Sequence, residues 1–384
     1  MKKAGLLVFM LIPLMALAQE TAKKSELSDL IAPASAAFML VDIAPTLVQS
    51  PGTPKSFVLG VAQSLSNSTS AFPDNYSVSL TPYWWLKPQG QSVYKFLGLV
   101  EPKIGRRMQQ NIFSGLKFTT LSAAFINKDL IPDEAETSQK AFSVGIGGTI
   151  IRVHSPAHIK KLYDALKQWH EDAQREIDDN ALLVLDEIQR LKLDSTFNAK
   201  RRALIEQYQE TKTPPAFSKL NNLINVKPVF AWDVAAAIAI YGLDNGSTAT
   251  GRTGVWTTLS SYVPLGNGEA GVNKNYFDIH ATMRYLRDNY QLNDAGLLER
   301  GNNVDFGGKA GFVFDHLSLG VEAIYRHNNG ITNTGNRTVG TIGVRVAKNI
   351  YINGSFGKDF TGPKKLISIF GINWGFGKET VELP

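Results

Sequence analysis

The chain has 384 residues, with 40 Lys and Arg against 34 Asp and Glu, and no cysteine. Zero cysteine excludes a disulfide scaffold, a thiolate metal site, a Cys nucleophile and a lipid-modified N-terminal Cys. A net charge of +6 does not call for nucleic acid, and the 19% charged fraction lies below the ~25% of an average soluble domain.

Lys2 and Lys3 precede an apolar stretch from Ala4 to Ala18, and Ala16-Leu17-Ala18 fits the small-x-small cleavage pattern. Residues 1–18 are therefore predicted to be a signal peptide, with Gln19 as the first mature residue. This apolar run is short of the roughly 20 residues a spanning helix needs. The stretch Val234–Tyr241, the next most apolar, is shorter still. A membrane protein built from this chain must cross the bilayer with strands.

Residues 19–55 carry Pro33, Pro45, Pro51 and Pro54, too many for a long regular element. Their apolar cluster Phe38-Met39-Leu40-Val41 needs burial, and the expectation is a plug or strap at a barrel mouth. Residues 56–154 read as the first four strands. Residues 155–227 differ in kind, since 21 of the 59 residues in Ser155–Thr213 are charged. Apolar residues at Ile159, Leu162, Leu166, Trp169, Ala173 and Ile177 recur every three or four positions, a helical stripe. Ser155 is the predicted N-cap and Pro156 the first helical residue. A second helix is expected through Leu204 and Tyr208, ending before Pro214-Pro215. Residues 228–384 read as eight more strands and a C-terminal tail.

The strand signal is period two. Phe277, Ile279, Ala281, Met283 and Tyr285 alternate with Asp278, His280, Thr282 and Arg284; Leu317, Leu319, Val321, Ala323 and Tyr325 alternate with Ser318, Gly320, Glu322 and Arg326. Such runs exceed the usual soluble strand of about five or six residues and suit a tilted membrane strand of about 9–11. Twelve candidates fall at 56–65, 75–86, 111–125, 139–153, 228–242, 251–265, 276–290, 302–315, 317–328, 337–348, 350–360 and 366–377. The predicted fold class is all-β, an antiparallel transmembrane β-barrel of about 12 strands with a helical insert. The tight joins at Asp315-His316 and Lys348-Asn349 are assigned to the periplasm with both termini, which by parity puts the insert there too.

One face of these strands carries the large apolar residues, with Trp84, Trp232 and Trp374 expected on the lipid side. The other carries Asp233, Asp278, His280, Arg284, Asp305, Lys309, Glu322, Arg326 and Arg345. A charge facing acyl chains at mid-membrane costs about 2–4 kcal/mol, so these nine are the predicted lumen-lining residues. Small residues on the same face (Gly60, Ala62, Ser64, Ser143, Gly145, Gly147) leave room along one wall for the lead segment or for water.

With these features the chain resembles Gram-negative outer-membrane β-barrel proteins over roughly Ser56–Lys378. The final hairpin, Ile350 to Phe360, a Gly362-Pro363 turn and Leu366–Gly377, carries the resemblance most clearly. Pro33–Pro54 and Tyr83-Trp84-Trp85 look similar to uncharacterised barrels of the Bacteroidetes type. The resemblance implies the outer membrane as location, with lipid and the barrel-assembly machinery as partners. Many such barrels end on an aromatic residue; here Phe376 is followed by Gly377–Pro384.

No phosphate loop is present. His154 and His158 are four apart, but the break at Ser155-Pro156 is expected to separate them, so no metal and no cofactor are predicted. The His-x-Ser-Asn-Gly pattern of outer-membrane phospholipases is absent; His327-Asn328-Asn329-Gly330 comes nearest and lacks the Ser. No enzyme is expected. The leading function is a passive channel or binding protein for small solutes. The alternative is a structural or assembly barrel whose helical insert docks a protein partner.

Overall fold

In a computed structural model of the protein, the residues described are 25–26, 35–49, 57–64, 74–83, 93–101, 108–131, 139–169, 171–172, 175, 223, 226–243, 245–266, 275–292, 295, 297–329, 335–347, 349–360, 366–376 and 380–381. The signal peptide, Trp84, the predicted second helix of the insert and the Gly362-Pro363 turn lie outside them. The chain forms two compact units. One comprises Leu27–Asp164 and Asn222–Glu379; the other comprises Met1–Glu26, Ala165–Asn221 and Thr380–Pro384.

The first unit is a closed antiparallel barrel of twelve strands: β1 (Phe57–Ser64), β2 (Asn75–Leu80), β3 (Thr120–Lys128), β4 (Gln139–Val153), β5 (Phe230–Gly242), β6 (Thr248–Pro264), β7 (Asn275–Leu292), β8 (Leu298–Phe314), β9 (Leu317–Asn329), β10 (Gly335–Ala347), β11 (Ile350–Lys358) and β12 (Leu366–Phe376). Each pairs with its sequence neighbour, and β12 returns to β1, with Phe376 opposite Phe57 and Ile369 opposite Ser64. Closure leaves no unpaired edge.

All twelve predicted strands are present. The third begins later than the alternation suggested, because residues Ile112–Phe118 form a 3-10 helix. Asn111 caps it, its side-chain oxygen accepting from the Phe113 N–H at 3.1 Å. In so short a segment apolar residues two and three apart do not distinguish the two conformations. The second strand stops at Leu80 rather than running to 86, shortly before Pro82. Strands β6 to β8 run longer than expected through polar ends such as Thr248–Thr250 and Leu298–Gly301.

The faces separate as the alternation requires. On β7, Ile279 and Met283 are exposed while Asp278, His280, Thr282 and Arg284 are buried. Val321 on β9 and Phe356 on β11 are 58% and 62% exposed, and Trp232 also lies on the outer face. The outside is thus a band of large apolar side chains, and the inside holds the charge. Among the described residues no helix is long and apolar enough to cross a membrane.

The core of the unit is the lead segment, residues 35–49. Its short helix α1 (Ala36–Leu40) and the following turn pack against the inner faces of β3 to β7 and β9. Ala37, Leu40, Leu47 and Val48 are fully buried. Full burial of each large apolar side chain stabilises this placement by about 1.5–3 kcal/mol. The facing wall is made of small residues (Ala124, Ala141, Ala235, Ala239), which let the helix approach. At Gly145 a Cβ would lie 2.9 Å from the Ala36 Cβ and 3.0 Å from the Ser122 Oγ. Gly145→Val therefore pushes α1 off the wall. The expected cost is about 1–3 kcal/mol of overpacking, measured as earlier loss of the compact, heat-modifiable gel form on heating. An unchanged transition would contradict this contact.

The insert follows β4 and precedes β5, so by strand parity it leaves the rim at which β1 begins and β12 ends. Helix α2 (Val93–Leu97) and the 3-10 helix lie in the connection between β2 and β3, which belongs to the same rim. Residues 156–169 are helical, and the Ser155 Oγ accepts from the His158 N–H at 3.1 Å, the predicted N-cap. Ile159, Leu162 and Leu166 of the predicted stripe are buried. In the second unit Ser25–Glu26 pairs antiparallel with Thr380–Val381, and the exposed Lys167 and Glu171 lie 3.8 Å apart.

Candidate functional site

The barrel interior is organised around Asp42. Helix α1 ends in a Schellman turn: the Asp42 N–H donates to the Met39 carbonyl and the Ile43 N–H to the Phe38 carbonyl, both at 3.3 Å. Asp42 takes the left-handed position, φ 57°, usually given to glycine. Asp is among the few other residues that tolerate it. The turn directs the carboxylate at three guanidiniums. Arg284 donates at 2.8 Å, Arg252 at 2.9 Å and Arg326 at 3.1 Å. Burial alone would raise the Asp42 pKa. Arg326, Arg284 and Arg252 outweigh it and hold the carboxyl well below the usual carboxylate range.

The strands position these arginines by register. Arg252 on β6 lies opposite Asp288 on β7, Arg284 on β7 opposite Asp305 on β8, and Asp305 opposite Arg326 on β9. Arg252 reaches Asp288 at 2.6 Å, Arg326 reaches Asp305 at 2.7 Å, and Arg284 reaches Asp305 at 3.4 Å. The wall therefore pairs opposite charges along two rungs, Arg252–Asp288 and Arg284–Asp305–Arg326, the arrangement cross-strand pairs favour. Arg326 also stacks on Phe360, 3.7 Å from the ring centroid.

Glu322 is a second anchor. Its Oε2 accepts from the Thr46 hydroxyl at 2.6 Å, the Leu47 N–H at 3.0 Å and the Val48 N–H at 3.3 Å. Its Oε1 accepts from Arg337 at 3.2 Å, and Arg337 also lies 3.6 Å from Asp359 and donates to the Pro45 carbonyl. Trp256 donates through Nε1 to Gln49 at 3.2 Å, and the Ala37 N–H donates to Ser122 at 3.1 Å.

Of the nine predicted residues, Arg284, Asp305, Glu322 and Arg326 join in holding the lead segment. Asp233 is buried apart from them and accepts from the Thr149 hydroxyl at 2.6 Å. Asp278 and His280 form a chain with Ser260: His280 Nδ1 is 2.8 Å from Ser260 Oγ, and its Nε2 is 3.0 Å from Asp278 Oδ2. The residue types are those of a hydrolytic triad, but Ser260 is only 2% exposed, and attack by its hydroxyl needs an open face. The chain reads as a buried structural network, with the Asp278 Oδ1 left without a hydrogen-bond partner. Lys309 lines a cleft described below. Arg345 sits at the rim, its guanidinium 2.9 Å from His316 Nδ1.

Asp42, Arg252, Asp288, Arg337 and Asp359 also belong to the network and were not singled out from sequence. Parity would have found three of them. Arg252 shares the inner face with Trp256 and Thr258, Asp288 shares it with Thr282 and Arg284, and Arg337 shares it with Val339. The expected separation of His154 from His158 is overturned: their ring centroids lie 4.9 Å apart. The helix start at Ser155 folds the chain back instead of extending it. Arg152 and Lys117 both lie over the Phe118 ring nearby. Burial and then Arg152 push the Lys117 ammonium down to about 7. His154 is held well below its ordinary value, first by burial and then by Arg152, His158 and Lys117. Among the described residues no three His, Asp or Glu side chains converge as a metal site would require.

Between the lead segment and the wall of β8 to β12 and β1 lies a narrow cleft continuous with solvent. Phe38, Pro45 and Val61 give it an apolar side, while Thr46, Ser318, Thr341, Asn353 and Asn373 give it hydroxyls and amides.

No family model matches the sequence, and no curated protein matches it. Among solved structures the chain is similar to the NanC porin, with 11% identity over 84% of this chain and 99% of that one, at a TM-score of 0.33. It is similar to the toluene transporter TbuX of Ralstonia pickettii, with 8% identity over 94% and 100%, at 0.27. A mutant porin of Rh. blastica gives 8% identity over 83% and 98%, at 0.20. At scores this low the barrel's own geometry, not its neighbours, carries the functional reading.

Proposed function

We propose that the protein is an outer-membrane β-barrel for passage or binding of small solutes, closed in this conformation by residues 35–49. A Gram-negative source of the Bacteroidetes type belongs to the same proposal, on the hairpin and lead-segment residues quoted above. The observation that carries it is the division of the wall: an outer band of exposed apolar side chains around an interior of paired charges. Apolar exposure on this scale is a liability in water and the natural surface of a barrel in lipid. The interior charges serve to seat a segment of the chain's own N-terminal part, so this barrel is a closed one that opens, rather than a permanently open pore. A non-enzymatic role follows from the same reading.

The test is insertion of the refolded protein, Gln19–Pro384, into a planar bilayer. The expected result is heat-modifiable mobility, stable insertion and conductance far below that of an open barrel of this strand number. A protein that folds in buffer without lipid or detergent, or that conducts steadily like an open pore, would sink the proposal.

A further inference from the structure

We propose that the cleft beside the lead segment is a binding site for a small hydroxylated carboxylate, with Lys309 as its counter-charge. The inference rests on the solute-barrel reading above and names the class of solute. It starts from the pairing of the interior charges. Arg252, Arg284, Arg326 and Arg337 each lie within ion-pair distance of a carboxylate. Lys309 makes no ion pair among the described residues. Its cross-strand neighbour on one side is Glu322, whose two oxygens are taken by Arg337 and by the lead segment. On the other side is His280; the nearby Asp278 bonds His280 through one oxygen and acts on the Lys309 charge from beyond ion-pair distance. Lys309 lines the cleft, and among the described residues it is the one charged residue that does so. A cation lining a cleft without carboxylates favours an anionic guest.

A second observation points to a guest independently. Ser35 is 8% exposed and lines the same cleft, and its Oγ is buried without a hydrogen-bond partner. A buried hydroxyl left unpaired is unfavourable, and a bound polar molecule removes that cost. Thr46, Thr341, Asn353 and Asn373 supply both donors and acceptors, which suits hydroxyl groups more than bare apolar surface. Because Ser35 and Thr46 belong to the lead segment and Lys309 to the wall, the guest would touch both the closing segment and the barrel.

The experiment is isothermal titration of the refolded protein in detergent with gluconate, with glucose as the neutral comparator and inorganic phosphate as the alternative anion. Gluconate is expected to bind, and to bind at least tenfold more tightly than glucose or phosphate. Lys309→Met should lower gluconate affinity at least tenfold, and Lys309→Arg should keep most of it. Ser35→Ala should weaken it severalfold. Both Lys309 variants must retain heat-modifiable mobility, and the Arg variant decides the matter if the Met variant does not fold. Equal binding of gluconate and glucose, binding of phosphate alone, no gluconate binding, or binding indifferent to Lys309 would each overturn the proposal. Those outcomes leave bilayer insertion and conductance untouched, so they fail the solute site without failing the solute barrel.

Discussion

Asp42→Asn is expected to turn a nearly silent barrel into a conducting one. The substitution keeps the side-chain shape and suits the left-handed backbone at φ 57°. It removes the one negative charge that three guanidiniums share. The arginines are not stranded, because Arg252 keeps Asp288, and Arg284 and Arg326 keep Asp305. The wall therefore stays paired while the closing segment loses its charged anchor. A loss near the low end of the 3–5 kcal/mol range for a broken buried pair shifts the ratio of seated to released segment by about a hundredfold. Single-channel conductance should rise severalfold, with the gel mobility of the folded barrel preserved. Unchanged conductance in a folded variant would show that Asp42 does not hold the gate. The pH dependence has a definite sign. A carboxyl held below its ordinary value of 3.8 contributes stability that is complete above that value and is lost as pH falls through the lowered one. The wild-type barrel should therefore stay closed from neutral pH down past 3.8 and open only in stronger acid. The Asn variant should not show that step.

Glu322→Ala should act on the whole barrel. Glu322 is fully buried and opposite in charge to the equally buried Arg337. Removing it leaves Arg337 with the more distant Asp359 and deprives the Thr46 hydroxyl and the Leu47 and Val48 N–H groups of their acceptor. The expected cost is about 3–5 kcal/mol, seen as a clear drop in the temperature at which the heat-modifiable form is lost. Glu322→Gln keeps an acceptor and should fall between. A Glu322→Ala barrel as heat-resistant as the wild type would refute the anchoring role.

Much of this architecture was legible in the sequence because a wall with one apolar and one polar face must alternate. Phe277 to Tyr285 and Leu317 to Arg326 carry that alternation without interruption, so strand identity and side-chain direction followed together. The segment from Ile112 to Phe118 misled because a few apolar residues do not fix a period. The interior charges were readable as a set, but their pairing was not. Arg284 and Asp305 belong to neighbouring strands and could be matched by register. Asp42 meets Arg252, Arg284 and Arg326 across 210 to 284 residues of chain, from a proline-rich segment with no periodicity. The break between His154 and His158 does not separate their rings, because a helix start can return the chain as readily as extend it.

The position of the closing segment in the chain sets its range of travel. Gln49, its last described residue, stands eight residues before Phe57, where β1 begins and where the seam with β12 is sewn. Eight residues of extended chain reach about 26–29 Å, close to the roughly 25 Å height of an outer-membrane apolar band. A stretch of that length would allow residues 35–49, once released, to leave the lumen at that rim without unzipping a single rung of the β1–β12 seam. It is too short to let them drift far. A released segment stays leashed beside the mouth it left, at high local concentration, and reclosure is an intramolecular event independent of how much protein the membrane holds.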